Sequence, residues 1–235
     1  MTDKYESPIL RGWVVNAIHQ AATNPVLLES CSSANLAYMV NECIAQKFDK
    51  ALASVVSKWS DRLEKKDAPT VPAIHAADRH GLEDLKGIAY YLHVQDMIDR
   101  QTATRKGATH LKSDPKLSKS QVSRLLNGHW SLVSMWERLR LKPIDLPRST
   151  KCTEEGHVKC AALWERRWIS AAGWKRIMSI SSADILALLA CLRDQLMNDD
   201  DLKAMDAECR LAGLEALKNF RLKTREELAD HFVDL

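Results

Sequence analysis

The sequence contains no hydrophobic run long enough to cross a membrane, since none approaches the roughly 18 apolar residues that a spanning helix needs. Its first residues lack the basic and then apolar order of a signal peptide. None of its six cysteines forms a Cys-x-x-Cys pair, the spacing typical of redox and zinc sites. These absences predict a cytoplasmic protein with reduced thiols and no membrane partner.

Short patterns that mark the common enzyme classes are also absent. The sequence has no phosphate-binding loop, no glycine-rich dinucleotide fingerprint and no nucleophile elbow. The acidic run Asp199, Asp200 and Asp201 is better explained as a solvated helix start than as a metal cluster. We therefore expect no enzymatic activity and no cofactor.

Glycine and proline are scarce, at 8 and 7 residues, and helix-forming residues fill the apolar-periodic segments, so an all-α fold is predicted. Breaks containing proline near 67–72 and 142–147 delimit three regions. These are an N-terminal helical region (1–66), a central basic region (70–147) and a C-terminal helical bundle (150–235).

Apolar periodicity predicts where several helices lie within these regions. A first helix should end near Asn24, and an apolar stripe from Leu36 to Leu63 predicts one continuous second helix. The segment 185–196 is apolar nearly all round and is expected to be a central core helix or a subunit interface. A capping box at Thr224 and Glu227 predicts that the last helix begins there.

Charge is distributed unevenly along the chain. Residues 100–180 hold 17 of the 34 basic residues and only 6 of the 31 acidic ones, a net charge of +11 hidden within an overall +3. A local excess of positive charge indicates what kind of partner a protein binds, and nucleic acid is the commonest polyanion in a cell. A solvated surface with no specific role would also explain it.

Within this basic segment, residues 117–128 are typical of a short DNA-recognition helix. Ser118 and Gln121 form a capping box, and Asn127 with Gly128 predicts a helix stop. Apolar side chains at 122, 125 and 126 would face a core. Polar side chains on the other face would read base edges or bind phosphates. A first helix is predicted over 101–111, a turn over 112–116 and a supporting helix from Leu132 to Leu139.

Residues 119–128 resemble the recognition helix of helix-turn-helix regulators of the phage-repressor type, and the partition proteins of plasmids carry a similar helix. The resemblance is firm over 117–128 and loose over 101–139. It implies a central helix-turn-helix region between two helical bundles, with a polar face entering the major groove. Where the family's tight turn has a glycine this chain has Lys116 after Pro115, so a longer turn is expected. The residues expected to contact DNA are Lys119, Ser120, Gln121, Ser123 and Arg124, together with His129, Arg105, Lys106, Lys112 and Lys116.

A metal site is not expected. The spacing Cys152-x4-His157-x2-Cys160 offers three zinc ligands, with His129 or His110 as a fourth, but structural zinc sites usually come from tighter pairs. Buried thiols and a surface histidine are the simpler interpretation.

Five of the seven tryptophans lie between 130 and 174, among arginines and lysines. Such a mixture can stack on unpaired bases. However, Trp164, Trp168 and, with drift, Trp174 lie near one helix face, which favours core packing.

The sequence as a whole predicts a sequence-specific binder of double-stranded DNA, either a transcriptional regulator or a partition or replication factor of a mobile element. Direct readout would come from Gln121 and Arg124, and a homodimer would present two half-sites. Two alternatives remain open. One is an all-helical adaptor or inhibitor whose basic face docks on an acidic protein. The other is a binder of RNA or single strands that uses exposed tryptophans.

Overall fold

The structure, a computed structural model, describes residues 8–103 and 109–234, and the all-α class predicted from composition is confirmed. The α-helices are α1 Pro8–Thr23, α2 Pro25–Ser30, α3 Ser33–Ala45, α4 Asp49–Glu64, α5 Thr70–His80, α6 Glu83–Asp99, α7 Lys119–Leu139, α8 Glu154–Ala172, α9 Lys175–Met178, α10 Ile185–Met197 and α11 Ala207–Glu226. Two 3-10 helices span Asp201–Ala204 and Leu228–His231, and two short strands are β1 Thr102–Ala103 and β2 Thr109–His110. Among the described helices, none has both the length and the apolar character needed to cross a bilayer.

The chain divides into two compact units. The first contains Met1–His93 and Asp114–Ser118, and the second contains Val94–Ser113 and Lys119–Leu235. The boundaries predicted after residues 66 and 147 lie inside the first and the second unit, respectively.

The first unit packs α3, α4 and α5 around the buried side chains of Val40, Trp59 and Ile74. Arg62 of α4 is also buried, and its guanidinium donates hydrogen bonds to the carbonyls of Leu28 and Cys31. Because the last carbonyls of a helix have no partner within it, this arginine satisfies the end of α2.

The continuous second helix predicted from Leu36 to Leu63 is wrong. Lys47, with φ of 58°, separates α3 from α4, although the apolar stripe runs through both helices. The break predicted near 67–72 extends only as far as Pro69, because residues 70–80 form α5. That helix ends at Gly81, whose φ of 63° is the left-handed conformation that glycine adopts without steric cost.

The second unit is centred on α10, as its all-round apolar pattern predicts. Ile185, Leu189 and Leu192 are fully buried, and α10 packs against α7, α8, α9 and α11. Trp164 and Trp168 of α8 also lie in this core, and their indole N–H groups donate to the carbonyls of Ile144 (3.4 Å) and Leu139 (2.6 Å). The core role predicted for these two tryptophans is confirmed.

Three expectations for local structure in the second unit are wrong. The helix predicted over 101–111 is replaced by an antiparallel pairing of β1 with β2, in which Thr102 faces His110. The stop predicted at Asn127 and Gly128 is absent, because α7 continues to Leu139. Thr224 does not begin a helix but lies buried inside α11, donating to the carbonyl of Phe220 at 2.8 Å.

Gly128 serves packing instead of helix termination. The fully buried ring of Phe232 lies so close to the Gly128 Cα that an added Cβ would overlap it. Glycine in a helix interior costs stability relative to alanine, so the close approach of the ring explains its presence in α7.

We expect Gly128→Ala to lower the free energy of unfolding by about 1–3 kcal/mol, because the new methyl group must displace a buried aromatic ring. Gly173→Ala is the control, since its Cβ would meet only ordinary contacts at 3.5 Å or more. The measurement is urea unfolding of both variants and the wild type. Equal stability of the two variants would contradict this role of Gly128.

Candidate functional site

Helix α7 begins at Lys119, directly after Ser118, as the capping pattern predicts. Lys119, Ser120 and Ser123 are exposed and Arg124 is half-buried, so four of the five residues predicted on the polar face reach the surface. Gln121, which was expected to read a base, is 7% exposed and is buried. The structure therefore places Gln121 on the inner side of α7.

The burial of Gln121 follows from the full length of α7. The buried positions of the helix form a stripe with successive spacings of four, three, four and four residues, namely Gln121, Leu125, Gly128, Leu132 and Trp136. That is the period of one face of an α-helix. If the helix is assumed to end at residue 128, too few buried positions remain to show which side faces the core. When the stripe is followed on to Trp136, Gln121 is seen to lie on the inward-facing side.

The outer side of α7 carries a second stripe, which begins with Lys119 and Ser123 and continues with Leu126 and Trp130. Leu126 was expected to face the core but is 49% exposed, and Trp130 is 72% exposed. The outer stripe thus combines a cation and a hydroxyl in the first turns with two apolar side chains in the next two.

The last described residues lie along α7 and contact its polar residues. The carboxylate of Asp234 accepts hydrogen bonds from Nε and Nη2 of Arg124 at 2.8 and 2.7 Å, and from Oγ of Ser120 at 3.0 Å. The side-chain amide of Asn127 donates to the carbonyl of Val233 at 3.2 Å. Two of the predicted DNA contacts therefore bind an acidic group of the same chain.

This arrangement could not be read from the sequence, because more than 100 residues separate the partners along the chain. The available signal was Asp234 itself, an acidic residue two positions after the aromatic Phe232. Phe232 is fully buried against Gly128 and anchors the segment that carries Asp234.

The remaining predicted contacts are Lys112, Lys116, His129, Arg105 and Lys106. Lys112 and Lys116 are exposed, and the backbone N–H of Lys116 donates to the carboxylate of Asp114 at 2.9 Å. His129 is half-buried and lines an open cavity of about 510 Å³ with Ile98 and Leu111, and burial lowers the pKa of its imidazole. Arg105 and Lys106 lie outside the described residues.

Trp174 was grouped with Trp164 and Trp168 on one helix face, but α8 ends at Ala172 and Trp174 precedes α9. The side chain of Trp174 is 48% exposed, so its predicted burial is wrong. Two tryptophans of the basic segment, Trp130 and Trp174, are consequently open to solvent.

Side chains of the types that ligate metals come together at the start of α8 and α11. The ligand atoms of Cys152, His157 and Cys209 all lie within 4.8 Å of one another. The thiol of Cys152 also interacts with that of Cys160. Burial, followed by these neighbouring thiols, raises the pKa of Cys152 to about 11. The sequence pattern had suggested Cys152, His157 and Cys160 but not Cys209.

Comparison with protein-family models, with curated proteins and with solved structures finds no match to this chain. The roles of its residues consequently rest on their geometry and chemistry.

The contact of the C-terminal segment with α7 should depend on pH. His231 lies 2.8 Å from the hydroxyl of Ser131, and burial lowers the pKa of its imidazole below the ordinary 6.5, an effect that Asp230 and Glu227 partly oppose and Arg138 reinforces. On acidification the unfolded chain therefore binds this proton first, and the free energy of unfolding falls as the pH drops through 6.5.

We expect the free energy of unfolding of His231→Gln to fall less than that of the wild type between pH 7.5 and 5. At pH 7.5 the two free energies should be similar, because glutamine can still form a hydrogen bond with Ser131. Urea unfolding across that pH range measures the effect, with His19→Gln of α1, an exposed histidine, as control. If the free energy of unfolding depends on pH in the same way for the wild type and His231→Gln, His231 does not contribute to that dependence.

Proposed function

We propose that this chain binds double-stranded DNA through the outer side of the first half of α7. The observation that carries the proposal is the bidentate hydrogen bonding of Arg124 to the carboxylate of Asp234, aided by Ser120. A guanidinium fork that fits a carboxylate in this way also fits a phosphate. Asp234 thus occupies the position in which a DNA phosphate would bind.

In this proposal, other exposed residues of α7 make the remaining contacts with DNA. Lys119 and Ser123 face solvent in its first turns, where a recognition helix contacts the major groove. Because Gln121 is buried, base readout in this proposal belongs to Ser123 and Lys119, and Arg124 positions the backbone. The affinity would come mainly from phosphate neutralisation by the basic segment.

The biological role that fits this proposal is that of a transcriptional regulator, or of a partition or replication factor of a mobile element. In both roles a protein must distinguish its site from bulk DNA, and a small number of base contacts supported by many phosphate contacts achieves this.

A protein partner is the second candidate, favoured by the exposed side chains of Leu126 and Trp130 on the outer stripe of α7. Aromatic residues and arginine are enriched at protein interfaces relative to the rest of the surface. In that case an acidic protein, and not a duplex, would contact Lys119 and Arg124.

We expect the protein to bind a mixed-sequence DNA duplex with an affinity that falls steeply with salt, because binding releases counterions from phosphates. Arg124→Ala should weaken binding and reduce the slope of log affinity against log salt by about one. Arg225→Ala of α11, an exposed arginine outside the basic segment, is the matched control. Fluorescence anisotropy at low and near-physiological salt measures both quantities.

Absence of binding at low salt would reject the DNA proposal and favour the protein partner. Binding that Arg124→Ala and Arg225→Ala weaken equally would retain DNA as a ligand but remove the assignment to α7.

Asp234→Asn should tighten DNA binding by up to about fivefold, since exposed ion pairs contribute about 0–1 kcal/mol and this one competes with phosphate. Asp194→Asn, at an exposed aspartate of α10, makes the same change in net charge elsewhere on the unit. The same anisotropy titration compares the two variants. Equal affinities would mean that Asp234 does not compete with DNA.

A further inference from the structure

We infer that Cys152, His157, Cys160 and Cys209 form a structural zinc site in the second unit. The inference does not depend on the proposed DNA binding, because it concerns α8 and α11 and uses no residue of α7. It replaces the expectation of isolated buried thiols and a surface histidine.

The distances fit the coordination of zinc. With Zn–S near 2.3 Å and Zn–N near 2.0–2.1 Å, neighbouring ligand atoms of a tetrahedral site lie about 3.5–3.8 Å apart. Sγ of Cys209 and Nδ1 of His157 are separated by 3.8 Å, and Sγ of Cys152 lies within 4.8 Å of both. A movement of about 1 Å or less would therefore bring all three atoms onto one ion.

Cys160 supplies the fourth ligand. It follows His157 by three residues on α8, so the two side chains emerge on one face of the helix. Its thiol lies near that of Cys152 and the residue is 6% exposed, but its sulfur is more than 4.8 Å from at least one of the other three ligand atoms, so its side chain has to turn to reach the ion. Three cysteines and one histidine are an established donor set for structural zinc.

Two helix ends and a backbone N–H near the cluster would stabilise sulfur ligands once they are anionic. Thr153 caps α8 and Asp206 caps α11, so Cys152 and Cys209 lie beside the positive ends of two helices. The backbone N–H of Ser149 points at Sγ of Cys209 from 3.5 Å. Groups around a metal that donate to its ligands hold those ligands in place.

The site would join three separate parts of the chain, namely the loop before α8, the first turns of α8 and the start of α11. The same junction is tied by Ser149 to Asp206, at 3.1 Å, and by the ion pair of Lys151 with Glu208. Binding of the ion displaces the three thiol protons to solvent and forms three Zn–S bonds and one Zn–N bond. No oxidation is involved.

Zinc is favoured over other cations by the ligands. Thiolates with an imidazole in a tetrahedral arrangement select Zn²⁺, whereas Mg²⁺ and Ca²⁺ require oxygen ligands. A disulfide between two of these cysteines is the competing explanation for their proximity, and the experiment below distinguishes it.

The test begins with the full chain purified under reducing conditions without added metal, followed by elemental analysis. We expect one zinc ion per chain. Replacing zinc by Co²⁺ should produce the intense visible bands of a tetrahedral site and the thiolate-to-cobalt charge-transfer band. Cys209→Ser and His157→Asn should each lose the bound zinc or alter the cobalt spectrum, whereas Cys191→Ser, a half-buried thiol of α10, should retain both.

Circular dichroism would identify a variant that has lost its fold. If a variant is unfolded, the cobalt spectrum of the wild-type protein still tests the inference. Chain without zinc that also gives no charge-transfer band with Co²⁺ would overturn the inference. So would a disulfide among Cys152, Cys160 and Cys209, mapped by mass spectrometry in protein that does not take up zinc after reduction.

Discussion

The contact between Gly128 of α7 and the ring of Phe232 is the constraint on which the arrangement of the second unit's surface depends. A glycine at this position allows the ring to lie directly on the helix backbone, so the rotation of α7 about its axis is fixed. Once Gly128 faces inward, helical geometry also places Gln121, Leu125 and Leu132 inside. The same rotation leaves the outer stripe, from Lys119 to Trp130, open to solvent.

This contact also determines where Asp234 lies. An exposed ion pair such as that of Arg124 with Asp234 contributes little by itself, because water and salt screen it. Two residues before Asp234, however, Phe232 is fully buried, and the hydrogen bond between His231 and Ser131 holds the same segment. The apolar anchor therefore supplies a high effective concentration of the carboxylate at Arg124. A competing polyanion needs to displace only the weak part of the contact, while the buried ring stays in place.

The sequence predicted features that depend on local patterns. The all-α class, the end of α1 before Asn24, the start of α7 after Ser118 and the buried α10 all follow from periodicity and helix-end residues. The features that were missed depend on contacts between distant residues. Asn127 and Gly128 have the composition of a helix end, yet Phe232, about a hundred residues later, converts them into a packing position. Likewise, the helix expected over 101–111 was placed there to complete a helix-turn-helix pair, whereas Thr102 pairs with His110 in a short antiparallel ladder.

The cysteine and histidine cluster demonstrates the same limit for a site. Spacing along the chain brings Cys152, His157 and Cys160 together, because they border and enter one helix, but for a fourth ligand it offered only His129 or His110 and gave no reason to consider Cys209. The packing of α11 on α8 places Cys209 among them, 52 residues after His157. A rule based on close cysteine pairs rejects this arrangement because it considers only neighbours in sequence. When two helix starts converge, each can supply part of the coordination sphere, and the donor atoms have to be compared in space.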